Sequence, residues 1–370
     1  MLPLNYVIFM PYGFLFFCMT VFGAIFSLSA SHWLGVWAGL EINLIAFIPL
    51  MLYRGTVLET ESAIKYFIFQ AVGSAMIMFS SLLSFGSDFV WDLTTNGLSL
   101  FMEGGVVILI MGLLLKLGVF PFHFWFPSVV SGLSWFSGFL LLTWQKIAPL
   151  FLLFLVSYLW GASVMLMIMA VAGGSSIVGG IGGVNQTQLR ALLAYSSIAH
   201  LGWMVFCCFL SEGSMKIYFG VYFFITMCIF FVVWSAEVNL VFQAFSSFVG
   251  KNLVVRFIVI FLFLSLGGIP PLLGFVPKWV VLSLGSGTGM VFTLGLLILG
   301  SLFSLFYYLS LIFSAFFSAG PVLLKEFYFS SFGLGMSAFL VLSGSLNLFG
   351  GLFLLKNFIY SYAMGLFDKP

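Results

Sequence analysis

Charge is what this 370-residue chain has least of: 12 Lys and Arg, 10 Asp and Glu, 6% of all residues. Soluble domains carry about a quarter. So few ionic groups cannot hydrate the surface of a soluble domain of this size. The deficit excludes a cytosolic enzyme, a nucleic-acid binder and a disordered chain. A formal net charge of +2 offers nothing to a polyanionic partner. By count cysteine is sparser still, with four residues. Cys18, Cys207, Cys208 and Cys228 lie in apolar runs without metal-ligand spacing, so they read as small core residues, and the pattern argues against an iron–sulfur or zinc site. Basic residues are missing ahead of Arg54, so no cleavable leader or Arg-rich presequence is expected. Glycine clusters at 179–183 and 285–289 follow no strand of a βαβ unit, and close helix packing or a turn explains them better than phosphate binding.

What is present is apolar: hydrophobic residues make up 63% and mean hydropathy is +1.25. One crossing plus its loop takes roughly 30 residues, which allows about eleven or twelve crossings. Apolar runs cover 6–27, 33–52, 61–85, 98–121, 135–158, 162–182, 188–210, 215–242, 253–284, 290–317 and 335–356. They are continuous instead of alternating, which excludes a β-barrel. Many of the aromatics, 19% of residues, cluster near run ends, where amphipathic rings favour the membrane interface. The expected fold is therefore an all-α polytopic membrane protein, a single bundle of about eleven transmembrane helices. Arg54, Arg190, Lys251, Arg256 and Lys325 fall on the N-terminal side, against Lys216, Lys356 and Lys369 on the other. The positive-inside rule then places the N-terminus on the matrix or cytoplasmic side.

The informative residues are ionisable groups inside apolar runs, each costing roughly 2.5–3.5 kcal/mol at mid-membrane. Glu41, Lys116, Lys146 and Lys278 are such residues. Chain-breakers accompany the lysines: Gly118 and Pro121 after Lys116, Pro149 after Lys146, and Gly267, Gly268, Pro270, Pro271, Gly274 and Pro277 before Lys278. Proline frees backbone carbonyls, which in lipid must face protein or water. Interrupted helices beside ionisable residues mark hydrated sites at mid-depth, as in transporters built from inverted repeats. Lys116 and its GVFPFHFWFP stretch precede Lys278 and its proline cluster by about 160 residues, which suggests two corresponding halves at 5–160 and 161–318 followed by a C-terminal helix at 335–356. His200, near Tyr195, Ser196 and Ser197, is either a proton relay or a satisfied core residue. Lys65 either snorkels beside Glu61 or joins the polar path. His123 anchors the interrupted segment, Glu103 is interfacial, and Glu237 and Asn239 are structural.

Six segments occur in order: GLEINLIAFIPLM, ESAIKYFIFQAVGS, KLGVFPFHFWFP, LLTWQKIAPL, GGVNQTQLRALLAYSSIAHLGWM and SLGGIPPLLGFVPKW. Together they closely resemble the signature segments of NADH-ubiquinone oxidoreductase chain 2, the mitochondrially encoded antiporter-like subunits of respiratory complex I. The resemblance covers about residues 5 to 315 and does not extend past Gly320. It implies antiporter-like inverted five-helix repeats with two interrupted helices, and a place in the proton-translocating membrane arm. Matched by motif, Glu41 takes the position of the family's helix glutamate, Lys116 and Lys278 those of the lysines at the interrupted helices, and Lys146 that of the central lysine. The resemblance further implies an inner mitochondrial membrane location and a hetero-oligomer with other membrane-arm subunits and lipids. No cofactor is expected in this chain, because flavin and iron–sulfur clusters would lie in partner subunits. Activity would then be that of the whole NADH:ubiquinone reductase, with no redox centre here.

A lysine in a low-dielectric channel has its ammonium form disfavoured and so exchanges protons more readily, while a nearby carboxylate restores the charge. Glu41–Lys116 is accordingly expected to act as a switchable pair, Lys146 as central relay and Lys278 as exit-side group, with His200 bridging the latter two through water. Two other readings share these residues: a stand-alone cation/proton antiporter, and a structural spacer in the same arm.

Overall fold

The computed structural model describes residues 11–88, 100–159, 162–236, 253–317, 341–353 and 356. The first residues of the first expected span, Glu237, Asn239 and residues 335–340 of the last expected helix lie outside them. Among the described residues the regular elements are all helices, and they fall into two compact units, Met1–Val171 and Ala172–Pro370. The first unit holds α1 (Pro11–Ser29), α2 (Trp33–Met51), α3 (Val57–Asp88), α4 (Leu100–Leu117), α5 (Trp125–Gly132), α6 (Trp135–Leu142) and α7 (Trp144–Leu159). The division falls inside α8 (Ala162–Gly183). The second unit continues with α9 (Leu189–Leu210), α10 (Glu212–Ala236), α11 (Leu253–Gly267), α12 (Phe275–Ser286), α13 (Val291–Phe317) and α14 (Val341–Phe353).

Among the described residues, eight stretches are long and apolar enough to cross a membrane, with α6 and α7 together counting as one. The shorter apolar helices α4, α11, α12 and α14 complete the pattern expected from the runs. Serines inside these helices satisfy their own hydroxyls: Ser74, Ser80 and Ser81 donate to the carbonyls three residues back, at 2.9, 2.7 and 2.7 Å. Such back-bonding lets a hydroxyl sit in hydrocarbon without a partner helix.

Both expected interruptions are present and are built alike. α4 and α11 each end one residue before a left-handed glycine, Gly118 (φ 68°) and Gly268 (φ 78°). Gly118 N–H donates to Leu115 O and Val119 N–H to Leu114 O; Gly268 N–H donates to Ser265 O and Ile269 N–H to Leu264 O. This is the Schellman arrangement, which closes a helix C-terminus and needs a residue without Cβ at the left-handed position. A proline follows three residues after each glycine, Pro121 and Pro271, preceded by a cis peptide bond in both places. The helix resumes seven residues after the glycine, at Trp125 and Phe275.

A third interruption was not expected. The run 135–158 divides at Thr143, whose N–H and Oγ1–H both go to the Phe139 carbonyl, at 3.1 and 2.7 Å. A threonine hydroxyl competing for the carbonyl four residues back bends a helix. The new helix, α7, begins two residues before Lys146.

The same packings recur in the two units. In the first, α1 packs on α2 and α7, α2 on α3, α3 on both α4 and α5, and α4 on α7. In the second, α9 packs on α10, α10 on both α11 and α12, and α11 on α13. The second-unit part of α8 packs on α9 and α13: Gly179 approaches the Ala199 backbone and Gly180 the Gly300 backbone.

Candidate functional site

In the first unit the site grows from the interrupted helix and the Thr143 bend. Lys116 lies in the last turn of α4 and Lys146 in the first turn of α7, with only 7% and 2% exposure. Both line one cavity, together with Tyr66 and Gln70 of α3, Trp125 and Phe126 of α5, and Gln145 of α7. The cavity has about 20 Å³ of room for water, above the roughly 10–15 Å³ that one water needs. Gln70 Nε2 donates to the Lys116 carbonyl at 3.2 Å, satisfying one of the acceptors that α4 leaves at its end. Lys146 Nζ lies 4.9 Å from the centroid of the Phe126 ring, within cation–π range. Gln145 Nε2 donates to Asn43 Oδ1 of α2 at 2.9 Å, tying the first turn of α7 to the helix that carries Glu41.

Glu41 is half-buried on α2 and acts electrostatically on both Lys116 and Tyr66. Among the described residues no ion pair within 4.0 Å joins Glu41 to Lys116. The Glu41 charge therefore reaches Lys116 without direct contact in this conformation.

In the second unit Lys278 lies in the first turn of α12, 6% exposed. It reaches back across the break: Nζ donates to the Gly267 carbonyl, the end of α11, at 2.9 Å. A helix C-terminus carries a partial negative charge, so an ammonium there is held without a carboxylate. The lysine stem lies over Gly268, where an added Cβ would come within 2.8 Å of Nζ. His200, midway along α9, has Nδ1 hydrogen-bonded to the Tyr218 hydroxyl at 3.0 Å. His200, Tyr218, Tyr222, Ser265, Gly274 and Pro277 line a second cavity, which reaches the residue before Lys278. Among the described residues, no cluster of three His, Cys, Asp or Glu side chains has the arrangement to hold a metal ion.

Residues 30–304 match the family described as NADH:quinone oxidoreductase/Mrp antiporter, TM. The chain is 38% identical over 303 residues to NADH-ubiquinone oxidoreductase chain 2 of Anopheles gambiae, covering 82% of this chain and 85% of that protein. The chain belongs to the NADH-ubiquinone oxidoreductase chain 2 family. Among solved structures, a chain of respiratory complex I from Thermus thermophilus superposes with a TM-score of 0.82 at 26% identity, covering 92% of this chain and 78% of that one. A chain of an archaeal membrane-bound sulfane sulfur reductase shares the fold, with a TM-score of 0.77 at 18% identity, covering 91% and 72%.

Within this chain 2 scaffold, the structure brings Lys116 and Lys146 to one cavity and leaves Lys65 apart. Lys65 Nζ pairs with Glu61 Oε1 at 2.5 Å, one turn away on a partly exposed face of α3. Of the hydroxyls expected around His200, the two serines donate within α9, Ser196 to Leu193 O and Ser197 to Ala194 O, and the Tyr195 ring lies against Gly182. One hydroxyl partner is Tyr218 of α10, eighteen residues on; Tyr218 and Tyr222, one turn apart on one helix face, were the available signal. Glu59 was missed as well. It is 3% exposed at the start of α3 and accepts the Arg54 N–H at 3.0 Å, while its own N–H donates to Thr56 Oγ1 at 3.3 Å. The Thr-x-x-Glu spacing of a capping box was its signature. Glu103 lies in α4.

Proposed function

We propose that this chain conducts protons as a membrane-arm subunit of respiratory complex I, in the inner mitochondrial membrane with its N-terminus on the matrix side. NADH oxidation and ubiquinone reduction take place in partner subunits, which hold the flavin and iron–sulfur clusters. The observation that carries the reading is the shared cavity of Lys116 and Lys146, two buried amines on different helices beside an interrupted one. Groups of that kind are costly in a membrane interior and belong on ion or proton paths.

The recurring packings and the matched Schellman breaks support two repeats, 5–160 and 161–318, followed by the C-terminal helix. Each repeat contributes an interrupted helix with its own lysine. Glu41 biases Lys116 through its charge, Lys146 passes the proton onward, and Lys278 with His200 serves the second half. Holding the Lys278 ammonium is the end of α11, so a shift at that break releases the proton without any carboxylate moving. Each proton driven against the membrane potential costs about 2.3 kcal/mol per 100 mV. Redox chemistry in the partner subunits supplies that energy.

The chain is expected to be silent alone and active in the complex. Purified and placed in proteoliposomes, it should show no sodium- or potassium-driven proton exchange, whereas the assembled complex acidifies its vesicles on NADH. Cation-driven exchange by the isolated chain, monitored with an entrapped pH dye, would establish the stand-alone antiporter instead.

A further inference from the structure

Trp125 opens α5 directly after the first break and is 3% exposed. Its ring is fixed by three aromatic neighbours: Phe69 stacked at 6.0 Å, Tyr66 at 6.0 Å and Phe126 edge-on at 5.5 Å. Its indole Nε1–H is buried without a protein acceptor. Buried donors are rarely left so, because an unmade hydrogen bond costs the full desolvation of the group. The same side chain lines the cavity shared by Lys116 and Lys146, which has volume for a water and several polar walls.

We propose that the Trp125 indole N–H is a positioning group, holding a water that connects Lys116 to Lys146. The inference rests on the proton-conducting reading above and adds a residue to it. An indole is a donor only and does not release its proton in this range of chemistry, so Trp125 orients the water without carrying charge. It occupies one lone pair of the water. The other lone pair accepts from the ammonium of one lysine, and a water proton is donated to the neutral amine of the other. One transfer breaks an N–H bond on the first lysine, forms an O–H bond on the water, breaks another O–H bond and forms an N–H bond on the second. The water is regenerated, the positive charge has moved from one amine to the other, and nothing is oxidised. Gln145, locked to Asn43, and Gln70, locked to the Lys116 carbonyl, keep the remaining polar walls in place.

The direct test is an experimental map of the unmodified complex at water-resolving resolution. A water within about 3.2 Å of Trp125 Nε1 and in reach of both lysine amines is expected; an empty or apolar-filled site, or a water that reaches only one amine, overturns the proposal. The functional test compares Trp125→Phe and Leu141→Phe in the assembled complex in proteoliposomes. The first keeps an aromatic ring, smaller than the indole, and removes the N–H. The second keeps the N–H and fills the cavity, which Leu141 also lines. Trp125→Phe should slow NADH-driven proton uptake about fivefold, the factor one neutral hydrogen bond is worth, Leu141→Phe should slow it at least as much by excluding the water, and both should change the ratio of rates in H2O and D2O. Parent-like uptake, or slowed uptake with a parent-like solvent isotope ratio, overturns the positioning role. Lys146→Ala measured alongside separates the two levels: if it pumps normally the relay reading itself fails, and if it alone is impaired only the role of Trp125 falls.

Discussion

Replacing Lys146 with Ala is expected to slow proton passage through this chain by about 10²-fold or more, the scale on which a positioned proton-transfer group acts. The variant should still assemble. Lys146 is 2% exposed, so its ammonium is held at a desolvation cost, and removing it leaves space for water beside an existing cavity. What disappears is the nitrogen between the Lys116 side of the cavity and the rest of α7. In a tightly coupled complex NADH oxidation should fall together with proton uptake. Lys146→Arg sharpens the test because it keeps the charge and the approximate length, yet a guanidinium does not give up its proton at any physiological pH. A requirement for positive charge alone predicts that Arg restores uptake, whereas a requirement for proton exchange predicts that Arg fails as Ala does. Parent-like rates of both NADH oxidation and proton uptake in an assembled Lys146→Ala complex would leave this chain as a spacer in the membrane arm.

The positions of the lysines could be read from the sequence, but their partners could not. Lys116, Lys146 and Lys278 stand out because a chain with 6% charge places them in apolar runs. The two glycine–proline breaks stand out because no continuous helix accommodates Gly118 with Pro121, or Gly268 with Pro270 and Pro271. Those signals are local, and the structure realises them within a residue or two. The bend at Thr143 carried no proline or glycine and arises from a hydroxyl back-bond that threonines in straight helices also make. Lys278 bonds a carbonyl eleven residues back, a partner set by how the chain folds across the break, with no side chain to announce it. Tyr218 reaches His200 only because α9 and α10 pack together. Trp125 was one aromatic residue in an aromatic-rich segment until its N–H proved to have no protein acceptor. Composition and chain-breakers thus report where a polar group is forced into the membrane. What compensates it is decided by docking between helices, which periodicity does not encode.

That docking is most exacting at Gly274, and Gly274→Ala is expected to abolish most of the assembled complex. The backbone there is right-handed helical (φ −68°, ψ −14°), so alanine meets no conformational penalty. The obstacle is space. A Cβ at 274 would lie 1.8 Å from the Ser265 carbonyl oxygen and 2.7 Å from its carbonyl carbon, both backbone atoms of α11. A flexible side chain could swing aside, but a helix backbone cannot move by more than an ångström without disturbing what is built on it. Here that includes the Schellman closure at Gly268 and the Lys278–Gly267 hydrogen bond. Overpacking a core usually costs ~1–3 kcal/mol. A clash between two backbones should reach at least the upper end, and ~3 kcal/mol is already a factor of ~10² in the folded population. Gly220→Ala is the matched control: it lies in α10 of the same unit with nothing within 4 Å of an added Cβ, and should leave assembly unchanged. Complex yield on native gels, with NADH-driven proton uptake of any assembled fraction, reads both variants. Parent-like yield and uptake from Gly274→Ala would mean that α11 and α12 can separate at no cost, and that the geometry holding Lys278 is not what proton transfer in the second unit requires.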